Sequence, residues 1–392
     1  MELRAYRKGE RSALANLGKM AFGGSVAGWE DYYTREKNPR LDPDQVYVVE
    51  EDGAVRATAT VLPLETFVDG EPVAMGGVAA VNAHPAYRRR GYAGELMRAV
   101  LREMRGREVH LSMLWPFAHA FYRAYGWELC GESIGYTLKP TDLPTSPEQK
   151  HLRAYREEDL PQMMGLLEKE AIRHPLFVRR DKKQWRSERF WKDRATVVYE
   201  REGRAEGYLL YGMSDWREDR TPERTFTAHE LVAESPRARA ALISFMAAQD
   251  PLIFEVKYAT SRGEPLHPYL RSSYVKAELE PEFMLRIVDV KGALELLDRA
   301  VDEPLVLEVS DDVVPENAGT YTLGEGQVIR GAEGGSRVTL DARQLAQLYA
   351  GYLPAEQLAH RALLECSSPA AFEALAALFP VGDPYVSPPD TF

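Results

Sequence analysis

The amino-acid sequence predicts an α+β protein: two successive copies of one mixed domain, then a third α+β unit. The first observation behind this is an internal repeat. Residues 3–7 read LRAYR, and residues 152–156 read LRAYR again. Residues 46–53 (VYVVEEDG) are echoed by residues 197–203 (VVYEREG), so both echoes fall about 150 residues apart, the mark of a duplicated unit. The second observation is the stretch 78–104, where an apolar strand runs through a basic, glycine-containing turn into an amphipathic helix. The third is a change of pattern after Leu285, where short helical stretches and glycine-rich turns replace the repeat.

Taken in order, the first copy opens with its repeat, a polar turn and a helix over 11–20. Residues 46–53 read as a strand ending in a charged hairpin turn. Strands follow around 56–64, 71–83 and 109–115. Between the last two, Ala93, Leu96, Met97, Val100, Leu101 and Met104 paint one face of a helix. The second copy places its helix at 159–170 and further strands at 205–213 and 225–232. A proline-rich linker, 140–150 (PTDLPTSPEQK), separates the copies. The expected domains are therefore 1–145, 146–285 and 286–392. In the third, a short helix at 289–301 precedes a strand at 305–309. Hairpins are expected in the glycine-rich 319–335, and helices at 341–350, 355–364 and 369–379. An irregular tail closes the chain over 380–392.

The turn in the 78–104 stretch reads Arg88-Arg89-Arg90-Gly91-Tyr92-Ala93-Gly94. A helix N-terminus has unpaired N–H groups and a positive dipole end, a natural seat for a pyrophosphate. Gly91 and Ala93 have little side chain to block approach of phosphates to the backbone. The arginines add charge and donors. Consecutive arginines alone more often make a solvated face, but here spacing and flanks agree. Arg88-x-x-Gly91-x-Ala93 is similar to the Q/R-x-x-G-x-G/A loop of the GNAT superfamily of N-acetyltransferases, and Pro85 precedes it at the usual distance. The three-glycine dinucleotide fingerprint does not fit, nor does a P-loop. A coenzyme A pyrophosphate site is the reading. The counterpart in the second copy, starting at Glu234, reads ESPRARAALISFM. It lacks both the glycine and the arginine run, so that copy is expected to cover the first and build part of a substrate cleft rather than bind coenzyme A.

Composition narrows the partners. The 392 residues are 45% hydrophobic and 28% charged, with a formal net charge of −11, which suits a soluble multidomain protein. An acidic chain is a poor general nucleic-acid ligand and attracts cationic small molecules. Cys130 and Cys366 are the only cysteines. With no disulfide framework, no signal-like N-terminus and no apolar run of transmembrane length, a cytoplasmic protein that neither binds nucleic acid nor enters a membrane is expected.

Amine acetylation requires a lost amine proton, a polarised thioester carbonyl and a protonated thiolate. Residues 115–127 (WPFAHAFYRAYGW) supply the second motif. Phe121-Tyr122-Arg123-x-x-Gly126-Trp127 is similar to the GNAT segment that sets an aromatic pair beside the acetyl sulfur. Tyr122 is the candidate general acid, because a phenol with pKa about 10 can protonate a developing thiolate it touches. The backbone of Val81 and Ala83, preceding the loop, can pair with pantetheine amides as though the cofactor were an added strand. His84, His110 and His119 fit no nucleophile or metal pattern, and no zinc spacing is present. Glu30 and Asp31 beside Trp29 are candidates to meet a cationic acceptor.

Over its full length the chain resembles the enhanced intracellular survival (Eis) family, in which a catalytic GNAT domain, a degenerate GNAT domain and a sterol-carrier-protein-like domain follow one another. The resemblance implies acetyl-CoA contacts at Val81, Asn82 and Ala83, at Arg88, Arg89, Arg90, Gly91, Tyr92, Ala93 and Gly94, and at Phe117 and Ala118. It implies Tyr122 as acid and the α-carboxylate of the last residue, Phe392, as base. It also implies aminoglycoside amines as acceptors and a homohexamer; with the chain's negative charge, the acceptor expected is an aminoglycoside-like or polyamine-like cation or lysine, and the residue spacing leads to no metal being expected. Ala83 departs from the valine of some members, which a backbone contact tolerates. A free α-carboxyl has a pKa of only about 3.3–3.7. To act as a base it needs burial, a relaying water or an acceptor amine of lowered pKa. Two rivals are a tandem-GNAT peptidyl transferase, which needs no coenzyme A loop, and a non-catalytic acyl-CoA or lipid-binding module.

Overall fold

The computed structural model describes residues 1–215, 224–249, 253–299, 301, 303–324, 326–331 and 335–392. The first copy contributes β1 (Glu2–Ala5), β2 (Val46–Glu51), β3 (Ala54–Val68), β4 (Glu71–Ala83), β5 (Leu111–Leu114), β6 (Glu128–Leu129) and β7 (Glu132–Leu138). Its helices are α1 (Arg11–Phe22), α2 (Val26–Tyr32), α3 (Tyr92–Gly106) and the short α4 (His119–Arg123). The second contributes β8 (Leu152–Ala154), β9 (Ala195–Arg201), β10 (Arg204–Met213), β11 (Thr225–Ala233), β12 (Glu255–Ser261), β13 (Lys276–Pro281) and β14 (Met284–Ile287). With them come α5 (Leu160–Ala171), α6 (Lys182–Trp185), α7 (Glu188–Trp191) and α8 (Pro236–Ala247). The expected duplication is thus present as two α+β units that share the order strand, helices, three strands, helix, strand, followed by a third unit.

The two sheets do not divide at the linker. One sheet runs β1-β2-β3-β4-β5-β14-β6 and the other β13-β7-β12-β11-β10-β9-β8. Strand β7, before the linker, sits between β12 and β13. Strand β14, which spans the expected 285/286 boundary, sits between β5 and β6. Each copy therefore completes its sheet with a strand from the other half of the chain. Residues 140–150 are not a loose tether either, since they wind into two 3-10 turns with Leu143 buried.

The third unit forms a five-stranded sheet, β17 (Gln327–Arg330), β16 (Gly319–Gly324), β15 (Leu305–Ser310), β18 (Ser336–Asp341) and β19 (Leu364–Cys366), in that order. Helices α9 (Val290–Glu295), α10 (Ala342–Tyr349), α11 (Ala355–His360) and α12 (Pro369–Leu378) accompany it. The helix expected over 355–364 stops at His360, because Leu364 already pairs with Leu340. The β16–β17 hairpin lies in the glycine-rich stretch as expected; residues 325 and 332–334 of that stretch lie outside the described residues.

Strand β14 ties the first and third units together. Its Arg286 is fully buried and pairs with Asp311 at 2.6 Å. It lies so close to Gly126 (φ +84°) that a Cβ there would come within 2.6 Å of the guanidinium carbon. Helix α3 packs Leu96, Met97, Val100, Leu101 and Met104 into a core with Val49, Val61 and Val78. Each such buried side chain contributes about 1.5–3 kcal/mol, which fixes the helix start where the basic loop ends.

Candidate active site

Strands β4 and β5 run parallel but pair only over Met75–Gly77 and Leu111–Met113. Beyond Gly77, β4 keeps β3 on one side and has no strand partner on the other among the described residues. The separation has a local cause. Thr58 pairs with Asn82 while Thr60 pairs with Ala79, so β4 carries one extra residue and Ala80 adopts φ +51°. Such a bulge bends and twists the strand that carries it. Asn82 Nδ2 donates to the Ala80 carbonyl at 3.0 Å and braces the bend. Val81, Asn82 and Ala83 thus lie where unpaired backbone groups border the opening. The Val81 side chain is turned into the core.

The loop that follows reaches the start of α3. Gly91 caps the helix in the left-handed region (φ +87°), no side chain caps the first turn, and a Cβ at Gly91 would meet nothing within 4 Å. Among the described residues, the first N–H groups of the helix therefore have no intrahelical or side-chain acceptor. The three arginines are not equivalent. Arg90 pairs with Glu51 at 3.5 Å and lies over the Tyr87 ring at 4.7 Å. The same Glu51 accepts from the Tyr92 hydroxyl at 2.5 Å, and Tyr92 is buried, so these two side chains anchor the loop. Arg88 and Arg89 are exposed and have no ion pair among the described residues. Arg89 sits at φ +63°, a conformation that costs an L-residue about 1–2 kcal/mol. Ala93 is half-buried. At Gly94 a Cβ would collide with the Tyr125 hydroxyl at 2.4 Å, so this glycine lets the aromatic segment close on the helix start.

In that segment Ala118 caps α4 in an extended conformation. Phe117 is 63% exposed, with its ring 5.2 Å from both Phe121 and Tyr122. Tyr122 is buried against the core cluster holding Val78, Val81 and Leu114. Its hydroxyl has no hydrogen-bond partner among the described residues. Burial raises its pKa well above the ordinary phenol value, which keeps it protonated. His84 Nδ1 accepts from the Ala86 N–H and His110 faces Asp289 at 3.3 Å, both structural arrangements. Trp29 packs on Gly18, leaving Glu30 half-buried and Asp31 exposed, neither with an ion-pair partner among the described residues.

The chain's last residue returns to this place. The Phe392 ring meets Trp115 edge-on at 4.8 Å. A Cβ on Gly77, the last residue of β4 paired with β5, would come within 2.7 Å of it. Phe392 therefore lies where β4 and β5 part. Residues that sequence reasoning missed hold it there. Asp390 is fully buried between Arg40 at 2.6 Å and Arg180 at 2.7 Å. Arg180 also pairs with Glu230, which accepts from the Tyr208 hydroxyl at 2.7 Å and from the Ser387 hydroxyl. No spacing announces this cluster, since its members come from four distant stretches. The one available signal was a pair of acids in an otherwise uncharged tail.

With this geometry in view, family profiles for an acetyltransferase (GNAT) domain match residues 2–130 and, in a second form, 176–287. A sterol carrier protein domain profile matches residues 290–387. The chain carries two GNAT acetyltransferase domains. The second GNAT copy and the sterol-carrier-like third unit are thereby both present. An uncharacterized N-acetyltransferase of Streptomyces griseus is 26% identical over 274 residues, covering 63% of this chain; the chain spans 64% of that relative's length. A GCN5-related N-acetyltransferase from Anabaena variabilis shares the fold over the whole of both chains, with a TM-score of 0.87 at 22% identity. Eis1 from Mycobacterium abscessus does so with a TM-score of 0.80 at 21% identity. Domains of this family take acetyl-CoA as donor. Among the described residues no group of side chains is arranged to hold a metal ion, and no helix is long and apolar enough to cross a membrane.

Proposed function

We propose that this GNAT protein transfers the acetyl group of acetyl-CoA directly to an amine of a cationic small molecule, aminoglycoside- or polyamine-like, or of lysine. The observation that carries the reading is the opened β4–β5 pair, which ends at the uncapped N-terminus of α3 on one side and at Phe392 on the other. The pyrophosphate is held by the first N–H groups of α3 with Arg88 and Arg89, while Arg90 and Tyr92 brace the loop. Pantetheine lies along the free edge of Val81–Ala83, under Phe117 and Ala118. The amine nitrogen attacks the thioester carbon. Its proton passes to the Phe392 carboxylate, directly or through water, and Tyr122 gives its proton to the leaving thiolate. The acceptor's charge is matched by the chain's net charge of −11 and by the acids on α2, which have no ion-pair partner among the described residues.

The test is release of free thiol from acetyl-CoA in the presence of a panel of amines. Wild-type turnover is expected with polyamines or amino sugars. Tyr122→Phe is expected to lower kcat by about 100-fold or more, in line with loss of a general acid. Removal of Phe392 alone is expected to do the same with acetyl-CoA affinity retained. Turnover that survives both changes discards the mechanism; no acetyl-CoA binding by calorimetry discards the function.

A further inference from the structure

The second copy repeats the opened strand pair, although it has lost the basic loop. Strands β11 and β12 run parallel but pair only over Thr225–Ala228 and Glu255–Tyr258. On the other side of β11, Leu210 pairs with Glu230 while Tyr211 pairs with Ala228, so β11 also carries one extra residue at its bend. This is the same device that separates β4 from β5. In the first copy the edge of β4 beyond Gly77 has no strand partner among the described residues, and the tail reaches the gap only with the Phe392 ring at its head. In the second the gap is filled by the C-terminal tail. Only about 30 Å³ remains there, lined by Glu230, Val232, Tyr258, Thr260, Tyr385 and Ser387.

The tail is fastened along that gap from end to end. Asp383 lies against Gly263 just beyond β12, where a Cβ would meet its carboxylate at 2.5 Å. It also faces His174 at 3.4 Å, and its carbonyl oxygen is 3.0 Å from His174 Nδ1. The Tyr385 ring packs against His174 and Phe177 with centroids 5.6 and 6.2 Å away. Ser387 donates to Glu230 on β11. Asp390 is gripped by Arg180 and Arg40, and two residues later Phe392 stands at Gly77 in the first copy.

We propose that the second copy has kept the opened strand pair of a cofactor site and uses it as a receptor for an acidic, aromatic peptide, the chain's own residues 383–391. On this view His174, Glu230, Arg180 and Arg40 are positioning residues that set where the Phe392 carboxylate stands. The tail's occupation of the gap, together with the lost loop, leaves one acetyl-CoA site per chain. The grip is made by side chains rather than by an added strand, so it depends on Asp383, Ser387 and Asp390. The role given to Phe392 rests on the proposed function; the occupied groove does not.

The experiment uses the full-length protein and compares wild type with Arg40→Gln, Arg40→Lys and Ser387→Ala. Amide hydrogen exchange of residues 381–392 is read by mass spectrometry, acetyl-CoA binding by calorimetry, and kcat and KM by thiol release. Wild type is expected to protect the tail amides and bind one acetyl-CoA per chain. In Arg40→Gln the tail exchanges several-fold faster and kcat falls by about 100-fold, the scale of a misplaced catalytic group, while KM for acetyl-CoA is unchanged. Arg40→Lys restores part of both. Ser387→Ala, which removes one hydroxyl, does the same as Arg40→Gln more weakly and separates positioning from a folding defect. A tail that exchanges like a free peptide in wild type, two acetyl-CoA sites per chain, or a fall in kcat with tail protection intact would each overturn the proposal. A wild type inactive on every amine counts against the proposed function only, and the exchange data then decide the groove alone.

Discussion

The three arginines of the loop show how one motif divides its labour. Glu51 and the Tyr87 ring neutralise and pin Arg90, while Arg88 and Arg89 project without ion-pair partners among the described residues. Arg89→Ala is therefore expected to raise KM for acetyl-CoA by about tenfold, the value of a charge-assisted contact of roughly 1.5 kcal/mol. It should leave kcat nearly unchanged, whereas Arg90→Ala should act through loop order and lower thermal stability as well. Steady-state kinetics alongside melting curves separate the two, and equal KM values in wild type and Arg89→Ala would remove Arg89 from the phosphate site. Gly77 is the second informative residue. A Cβ there enters the space of the Phe392 ring and the Leu64 side chain, at 2.7 and 2.8 Å. Both are side-chain ends that can move, so Gly77→Ala should cost only about 1–3 kcal/mol of overpacking. The same shift displaces the terminal carboxylate, so kcat is expected to fall by about 100-fold with KM for acetyl-CoA retained. Loss of acetyl-CoA affinity instead would place Gly77 at the cofactor rather than at the tail.

At the scale of elements, local patterns were legible and long-range partners were not. The face of α3, the turn at Gly91 and the repeat at 3–7 and 152–156 are written in adjacent residues, so periodicity and spacing expose them. Strands β7 and β14 are also short, but nothing in either says which sheet it joins, because strand pairing is set by the whole set of available edges. Arg286 makes the point most sharply. In sequence it is a charge interrupting the apolar run 283–288; in the fold it is fully buried on Asp311 of the third unit. The tail clamp was hidden for the same reason, with Arg40, Arg180, Glu230 and Asp390 meeting only after three domains assemble. Removing one partner of a buried pair strands the other charge, at about 3–5 kcal/mol. Arg286→Met is therefore expected to lower the stability of the first and third units together. The double change Arg286→Met with Asp311→Asn, which removes both charges but keeps an acceptor for the Val313 and Val314 N–H groups, should recover much of the loss. Chemical unfolding followed by tryptophan fluorescence checks this, and a double variant no better than the single would show that β14 is held by packing alone.

The whole molecule behaves as one object because the tail crosses it, and pH reports on that crossing. His174 is buried, and burial alone would lower its pKa. Its contacts with Asp383 and Glu170 outweigh this and raise it to about 10. Arg173 and Arg239, both engaged with Glu264, and the Tyr385 ring complete its surroundings. The imidazolium is thus a fixed cation between two carboxylates. Because its folded pKa lies above the unfolded value near 6.5, its stabilisation is fully present below pH about 6.5 and is lost as pH rises through about 10. Asp383 and Glu170 work in the other sense. Burial would raise their pKa values, but His174 holds both below the ordinary carboxylate range, so their contribution is present above that range and lost as pH falls through their depressed values. Tail docking is therefore expected to be firmest at mildly acidic pH, above the ordinary carboxylate range and below pH about 6.5. Catalytic rate is a poor readout of this, since a substrate amine titrates over the same alkaline range. Exchange of the tail amides, corrected for the intrinsic pH dependence of exchange, reads docking directly. Wild type should lose tail protection progressively from pH about 6.5 to about 10. His174→Asn, which keeps a hydrogen-bonding side chain but cannot be charged, should start with weaker protection and lose no more over that range. Parallel curves for the two proteins would mean that Asp383 is held by Gly263 and the packing of Tyr385, and that the charge on His174 has no part in placing Phe392.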